Sequence, residues 1–177
     1  DLSAPGVTGT IADLMISGDL AEFGPVLTEQ ADYISVPNGV ILDDVELDVL
    51  TGWIWCFSMR GLTASTPLDG TAEVWIDDSW GQEGDVFHIN GPLNVLRIGG
   101  DVLWGLAVEG TVENLIVMGD VDPPPGPCDS LATDELVWGS IGALSGKIKV
   151  ARVSAELAVG NNLSGELVVQ GDMADCR

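Results

Sequence analysis

The sequence predicts an all-β protein, a parallel β-solenoid that forms one domain over residues 1–177. Two observations predict this fold. A short pattern of alternating aliphatic residues, closed by a Gly-Asp or Gly-Thr pair, recurs about every nine or ten residues. Its strands span about four or five residues, and the corners after them are too short to reverse the chain cleanly, so a parallel solenoid is favoured over an antiparallel meander of hairpins.

The repeat is clearest in the middle of the chain and returns near both termini. Looser copies fill much of the remaining sequence. The full copies are Leu14-x-Ile16-x-Gly18-Asp19-Leu20, Leu96-x-Ile98-x-Gly100-Asp101-Val102, Leu106-x-Val108-x-Gly110-Thr111-Val112, Leu115-x-Val117-x-Gly119-Asp120-Val121 and Leu167-x-Val169-x-Gly171-Asp172-Met173.

Each repeat has a plain structural interpretation. Alternate strand side chains point to one face, and the aliphatic residue after the corner returns to the same interior. Three buried aliphatics contribute roughly 5–9 kcal/mol, less than the ~10–20 kcal/mol of backbone entropy lost by ten residues. Single repeats are therefore unstable alone and must stack. We expect roughly three repeats, one per side, in each coil, and about five coils.

One long segment interrupts the rhythm. Residues 122–135 contain three consecutive prolines, Pro123 to Pro125, which cannot pair in a sheet. We interpret this segment as a loop excursion from one corner of the solenoid.

The register resembles the short-repeat β-solenoids of large secreted bacterial surface proteins, which carry runs of the type GDV-x-x-L-x-V-x-GDV. The likeness rests on residues 96–121, 14–20 and 167–173, and more broadly the chain looks like a right-handed parallel β-helix. That class includes adhesins, polysaccharide lyases and structural fibres, so the resemblance implies a secreted or cell-surface location and leaves the activity open.

Charge excludes two classes of partner. The chain has 28 acidic and six basic residues and a formal net charge of −22. Nucleic acids and anionic membrane surfaces both require clustered Lys and Arg, so we expect neither as a partner. No apolar run approaches the ~20 residues of a membrane-spanning helix, so membrane insertion is not expected. The chain starts at Asp1 without a signal segment, as a processed mature protein or an excised piece would.

Carboxylates and cysteines are the candidates for metal binding and cross-linking. Asp77, Asp78 and Asp85 could bind Ca²⁺ if stacking brings them together, although a solvated acidic face is the simpler interpretation, and we expect no other cofactor. Cys128 and Cys176 are candidates for a disulfide. Cys56 would then be free or would link subunits.

Tryptophans are the candidates for ligand binding. Trp75 alternates outward between two aliphatics and Trp104 lies at a corner, so both could stack on sugar rings or form an interface. Alternatively, both tryptophans pack within the protein core. Three more tryptophans fall at inward or corner-return positions and are expected in the core: Trp53, Trp80 and Trp138.

A catalytic site is not expected. His88 lacks partners at recognisable spacing, and Arg97 lies outward beside no evident acidic cluster. We predict instead an extracellular structural protein that self-associates by stacking uncapped solenoid ends into a fibre or surface layer. The edges would be formed by Leu14 and Ile16 at one end and by Leu167 and Val169 at the other. The alternatives are a carbohydrate-binding or adhesin module and, third, a polysaccharide-active enzyme.

Overall fold

A computed structural model describes residues 10–15, 26–82, 84–122 and 129–171, and these form an all-β structure of about six stacked parallel turns. The predicted parallel β-solenoid is confirmed. Nine strands lie in the described residues: β1 (Thr10–Met15), β2 (Val26–Ser65), β3 (Glu73–Ile76), β4 (Phe87–Asn90), β5 (Leu93–Ile98), β6 (Leu106–Val121), β7 (Leu131–Leu144), β8 (Lys147–Val159) and β9 (Glu166–Val169). Within these ranges, no helix suited to crossing a membrane is found.

The strand register gives the length of a turn. Leu93 pairs with Val112, 19 residues further on, and Thr10 pairs with Gln30, 20 residues further on. A turn therefore holds two copies of the repeat, and the expectation of three was wrong. A short third side joins the two strand-forming sides of the turn. There Val102 makes isolated parallel bridges to the preceding and the following turn. Shorter turns also explain why there are about six of them instead of five.

The inward positions of the repeat build one continuous core. In β3 and β4 the side chains alternate between buried and partly exposed positions, as the aliphatic pattern predicts. Leu96 pairs with Leu115, and both are fully buried. The inward side chains of each turn are thus buried against those of the next turn, and an isolated repeat would leave them exposed.

The corner glycines are required mainly because stacked backbones approach closely. A Cβ on Gly119 would lie 2.7 Å from the backbone carbon of Gly100 in the preceding turn. Neither residue has a left-handed backbone, so close approach of the turns, and not backbone conformation, accounts for glycine at these two corners. The adjoining aspartate links the same corners, since Asp101 Oδ1 accepts a hydrogen bond from the Asp120 amide at 2.8 Å.

The ladder resumes inside the predicted excursion at residues 122–135. Strand β7 begins at Leu131, which pairs with Leu106 on one side and Ile148 on the other. Ser130 is already buried, and its hydroxyl donates to the Asp122 carbonyl at 2.7 Å. The three prolines lie outside the described residues.

The predicted edges fall on the first and last strands of the described residues. Leu14 of β1 pairs with Ile34 of β2, and Ile16 lies outside the described residues. Leu167 and Val169 belong to β9, are half-buried and pack against the core. Within the described ranges, β9 pairs with β8 alone.

Candidate functional site

Four aromatic side chains cluster on the outer surface of β2 and β3, and we call them the aromatic face: Tyr33, Trp53, Trp55 and Trp75. Alternation explains this placement, because Ile54 and Cys56 point inward and are fully buried. Trp55 pairs directly with Trp75 of the next turn, about 4.8 Å away. Three indoles and Glu73 line a shallow depression of about 270 Å³.

The rings of the aromatic face are tilted against one another. The ring centroids of Tyr33 and Trp53 are 5.5 Å apart with an interplanar angle of 57°. Those of Trp53 and Trp55 are 6.3 Å apart at 53°. Tyr33 and Trp55 are 42% and 38% exposed, so their rings remain available from solvent. Such rings form a curved apolar surface.

Carboxylates fix the indole orientations. Trp75 Nε1 donates to Glu73 Oε2 at 3.0 Å, and Trp55 Nε1 donates to Asp77 Oδ2 at 2.6 Å. With the N–H groups held at the edge by these carboxylates, the apolar parts of the indoles line the depression. A second neutral donor, Asn94 Nδ2, reaches Glu73 Oε1 at 2.6 Å.

Arg97 completes the surroundings of the site. It forms an ion pair with Asp77, and its guanidinium carbon lies 5.6 Å from the ring centroid of Trp75. Arg97 was expected to lie beside no evident acidic cluster, and it has one acidic partner here, Asp77. The register explains this pairing, because Arg97 pairs with Trp75 across 22 residues of sequence and thereby comes beside Asp77.

Cys56 lies directly beneath the aromatic face. Its side chain is fully buried, and burial, together with the negative charge of Asp77, raises the pKa of the thiol to about 12. A thiol this buried cannot link subunits in the native state, so that alternative for Cys56 was wrong. Cys128 and Cys176, the predicted disulfide partners, lie outside the described residues.

The tryptophan predictions were partly right. Trp75 points outward as expected and lines the depression. Trp80 is fully buried in the core, with its ring centroid 5.3 Å from that of Phe87. Trp104 is half-buried at its corner, where it covers Gly81, and it is not among the residues that line the depression.

Two tryptophans expected in the core point outward. Trp53 lines the depression, and Trp138 is 37% exposed. The inward position is taken by Ile54, one residue after Trp53. Aligning Ile54-x-Cys56 with Val74-x-Ile76, twenty residues later, places Trp53 and Trp55 together on the outer surface.

The three candidate calcium ligands do not form a common site. Asp77 contacts Arg97 and Trp55, whereas Asp85 is buried, accepts from the Gln82 amide at 2.8 Å and lies 3.7 Å from Arg60. Asp78 is exposed. Over residues 10–15, 26–82, 84–122 and 129–171, no group of three acidic, His or Cys side chains is placed to hold a metal ion.

A second polar cluster lies further along the solenoid, and we call it the charged ladder: Thr111, Glu135, Arg152 and Ser154. Arg152 donates to Glu135 Oε1 at 2.6 Å through one terminal nitrogen and at 3.1 Å through Nε. Hydrogen bonds from Ser154 and then from Arg152 lower the pKa of Glu135. The carboxylate thus has its partners within the ladder.

Comparison of the chain with protein-family models, with curated proteins and with solved structures found no match. The function is therefore argued below from the chemistry of the aromatic face.

Proposed function

We propose that this chain is an extracellular β-solenoid that binds carbohydrate through its aromatic face. The observation that carries the proposal is the placement of three indoles and one phenol on adjacent outward positions, in a chain with ten aromatic residues in total. A contiguous exposed apolar patch of this kind is typical of a binding surface. The acidic, lysine-poor composition supports an extracellular location.

Stacking on sugars suits these side chains. One side of a pyranose ring presents C–H groups that pack against an aromatic ring, while the hydroxyls at its rim require hydrogen-bonding partners. The indoles supply the apolar surface, and the amide of Asn94 with the carboxylates of Glu73 and Asp77 supplies polar groups at its margin. Apolar walls with few polar groups are typical of small-ligand sites.

The tilt of the rings favours a particular form of carbohydrate. Planes inclined by 53–57° cannot all contact one flat surface at the same time. They can contact successive rings of a single twisted chain. Soluble oligosaccharides and single polysaccharide chains therefore fit the aromatic face better than the flat face of a crystalline polymer.

A glycan array followed by calorimetric titration with a short oligosaccharide tests the proposal. We expect Trp55→Ala and Trp75→Ala each to weaken binding at least roughly tenfold. The matched control is Trp138→Ala. Trp138 is 37% exposed, against 38% for Trp55. It lies in the same column of outward residues as Trp53, four strands and about 19 Å away. Equal losses in all three variants, or no binding to any glycan, would contradict the proposal.

The same titration separates binding from cleavage. A binding module leaves the oligosaccharide intact, so the amount of reducing ends stays constant during incubation. New reducing ends or unsaturated products would instead favour the polysaccharide-active enzyme.

Self-association by stacking of coils is the second candidate function. It is supported by strand β9, which in the described part of the chain uses one of its two edges and carries the half-buried Leu167 and Val169. Such an edge can add a strand from another copy. Negative-stain microscopy would then show filaments. The amides of Glu166 and Gln170 donate to the β8 side, so the Val169 amide faces the open edge, and replacing Val169 by Pro should abolish the filaments by removing a strand donor. A monomer at high protein concentration would contradict this candidate.

A further inference from the structure

We infer that the glycan bound by the aromatic face carries protonated amines, an inference that rests on the proposed function. The residue that carries it is Glu73. This carboxylate lies at the wall of the depression among Trp53, Trp55 and Trp75, and in the described part of the chain no ion pair involves it.

The hydrogen bonds of Glu73 leave its charge uncompensated. Both donors that reach it, Trp75 Nε1 at 3.0 Å and Asn94 Nδ2 at 2.6 Å, are neutral groups. They orient the two carboxylate oxygens without cancelling the negative charge. Asp77 differs, because the Arg97 guanidinium neutralises it. The depression is therefore lined by one carboxylate whose counter-charge must come from solution or from a ligand.

The aromatic rings add to this preference for cations. The face of an indole is the negative end of its quadrupole and attracts ammonium and guanidinium groups. Arg97 shows this on one ring, with 5.6 Å between its guanidinium carbon and the Trp75 centroid. Trp53 and Trp55 offer further rings beside Glu73. An ammonium group entering the depression would contact ring faces and the carboxylate together.

The charge of the whole chain acts in the same direction. A net charge of −22 repels uronates and sulfated sugars, and at the ~8 Å screening length of physiological salt this repulsion extends beyond first contacts. It attracts a cationic polymer and accelerates the encounter. Anionic polysaccharides are thereby disfavoured, and amine-bearing glycans are favoured over neutral ones.

Paired titrations test the inference. The probes are β-linked glucosamine oligosaccharides and their fully N-acetylated counterparts of equal length, at a pH at which the amines are protonated. We expect the amine form to bind roughly fivefold tighter, and we expect high salt to remove most of this difference. Salt dependence needs no variant, so the test holds even if a variant folds poorly.

Variants locate the preference. Glu73→Gln should abolish the difference between the two probes by weakening the binding of the amine form more than that of the acetylated form, whereas Trp55→Ala should weaken both to a similar extent. The control is Glu113→Gln, which removes the same charge from an exposed position. Equal affinities for both probes, or binding of neutral glucans alone, would overturn this inference and leave the proposed function standing. Absence of binding to every glycan would overturn both.

Discussion

The aromatic face and the charged ladder lie on the outside of the same solenoid, yet their side chains are used differently. In the charged ladder, Glu135 receives hydrogen bonds from Arg152, Ser154 and Thr111, so the polar groups are satisfied among themselves. In the aromatic face, Trp55 and Tyr33 keep exposed rings, and beside it the Glu73 carboxylate receives only neutral donors from the described residues.

This difference teaches that inward and outward positions of the repeat have separate tasks. The inward column is aliphatic beneath both regions, as shown by the fully buried Ile54 under the aromatic face and the fully buried Leu136 under the ladder. The inward column therefore supplies the apolar core of the stack in both regions. Outward positions can be used for turn-to-turn stability in one region and for binding in another.

The largest expected effect concerns the strand beneath the aromatic face. With its pKa at about 12, the Cys56 thiol should form about a thousandfold less thiolate than a free cysteine at the same pH. Alkylation with iodoacetamide in mildly alkaline buffer, followed by mass spectrometry, should leave Cys56 unmodified in the native protein and modify it in urea. Rapid native labelling would show that the strand opens and that the aromatic face is not a rigid platform.

An intermediate effect compares one arginine from each region. The side chains of Arg97 and Asp77 are 25% and 28% exposed. Arg152 is 54% exposed, and its partner Glu135, which is 21% exposed, keeps hydrogen bonds from Ser154 and Thr111 when Arg152 is removed. Arg97→Ala leaves a half-buried carboxylate unpaired and should lower the free energy of unfolding by about 1–3 kcal/mol. Arg152→Ala should cost less than about 1 kcal/mol. Urea denaturation measures both, and equal costs would remove the contrast between the two regions.

The smallest effect is the pH dependence of the charged ladder. Because hydrogen bonds from Ser154 and Arg152 lower the pKa of Glu135, its contribution is complete above the ordinary value of 4.5 and is lost as pH falls through the folded-state pKa. Glu135→Gln should therefore reduce the free energy of unfolding by at most about 1 kcal/mol near neutral pH and by almost nothing in acid. A difference that grows on acidification would contradict the lowered pKa.

The candidate site was only partly predictable. The alternation around Val74 and Ile76 was enough to place Trp75 outward, and the burial expected of Trp80 was right. Trp53 was misplaced because its strand follows a corner without the Gly-Asp pair that marks the clearest repeats. A shift of one residue in a strand moves every side chain to the opposite face.

The sequence by itself determined the repeat and favoured a parallel solenoid over an antiparallel meander, because aliphatics that recur every nine or ten residues on short strands are buried well by stacked turns. The tertiary structure decided how many repeats make a turn. The number of repeats in a turn decides which outward residues become neighbours. It brings Trp55, Trp75 and Arg97 together on paired strands, although about twenty residues of sequence separate each from the next. Contacts between strands depend on the number of residues in a turn, which the local periodicity of the sequence does not encode.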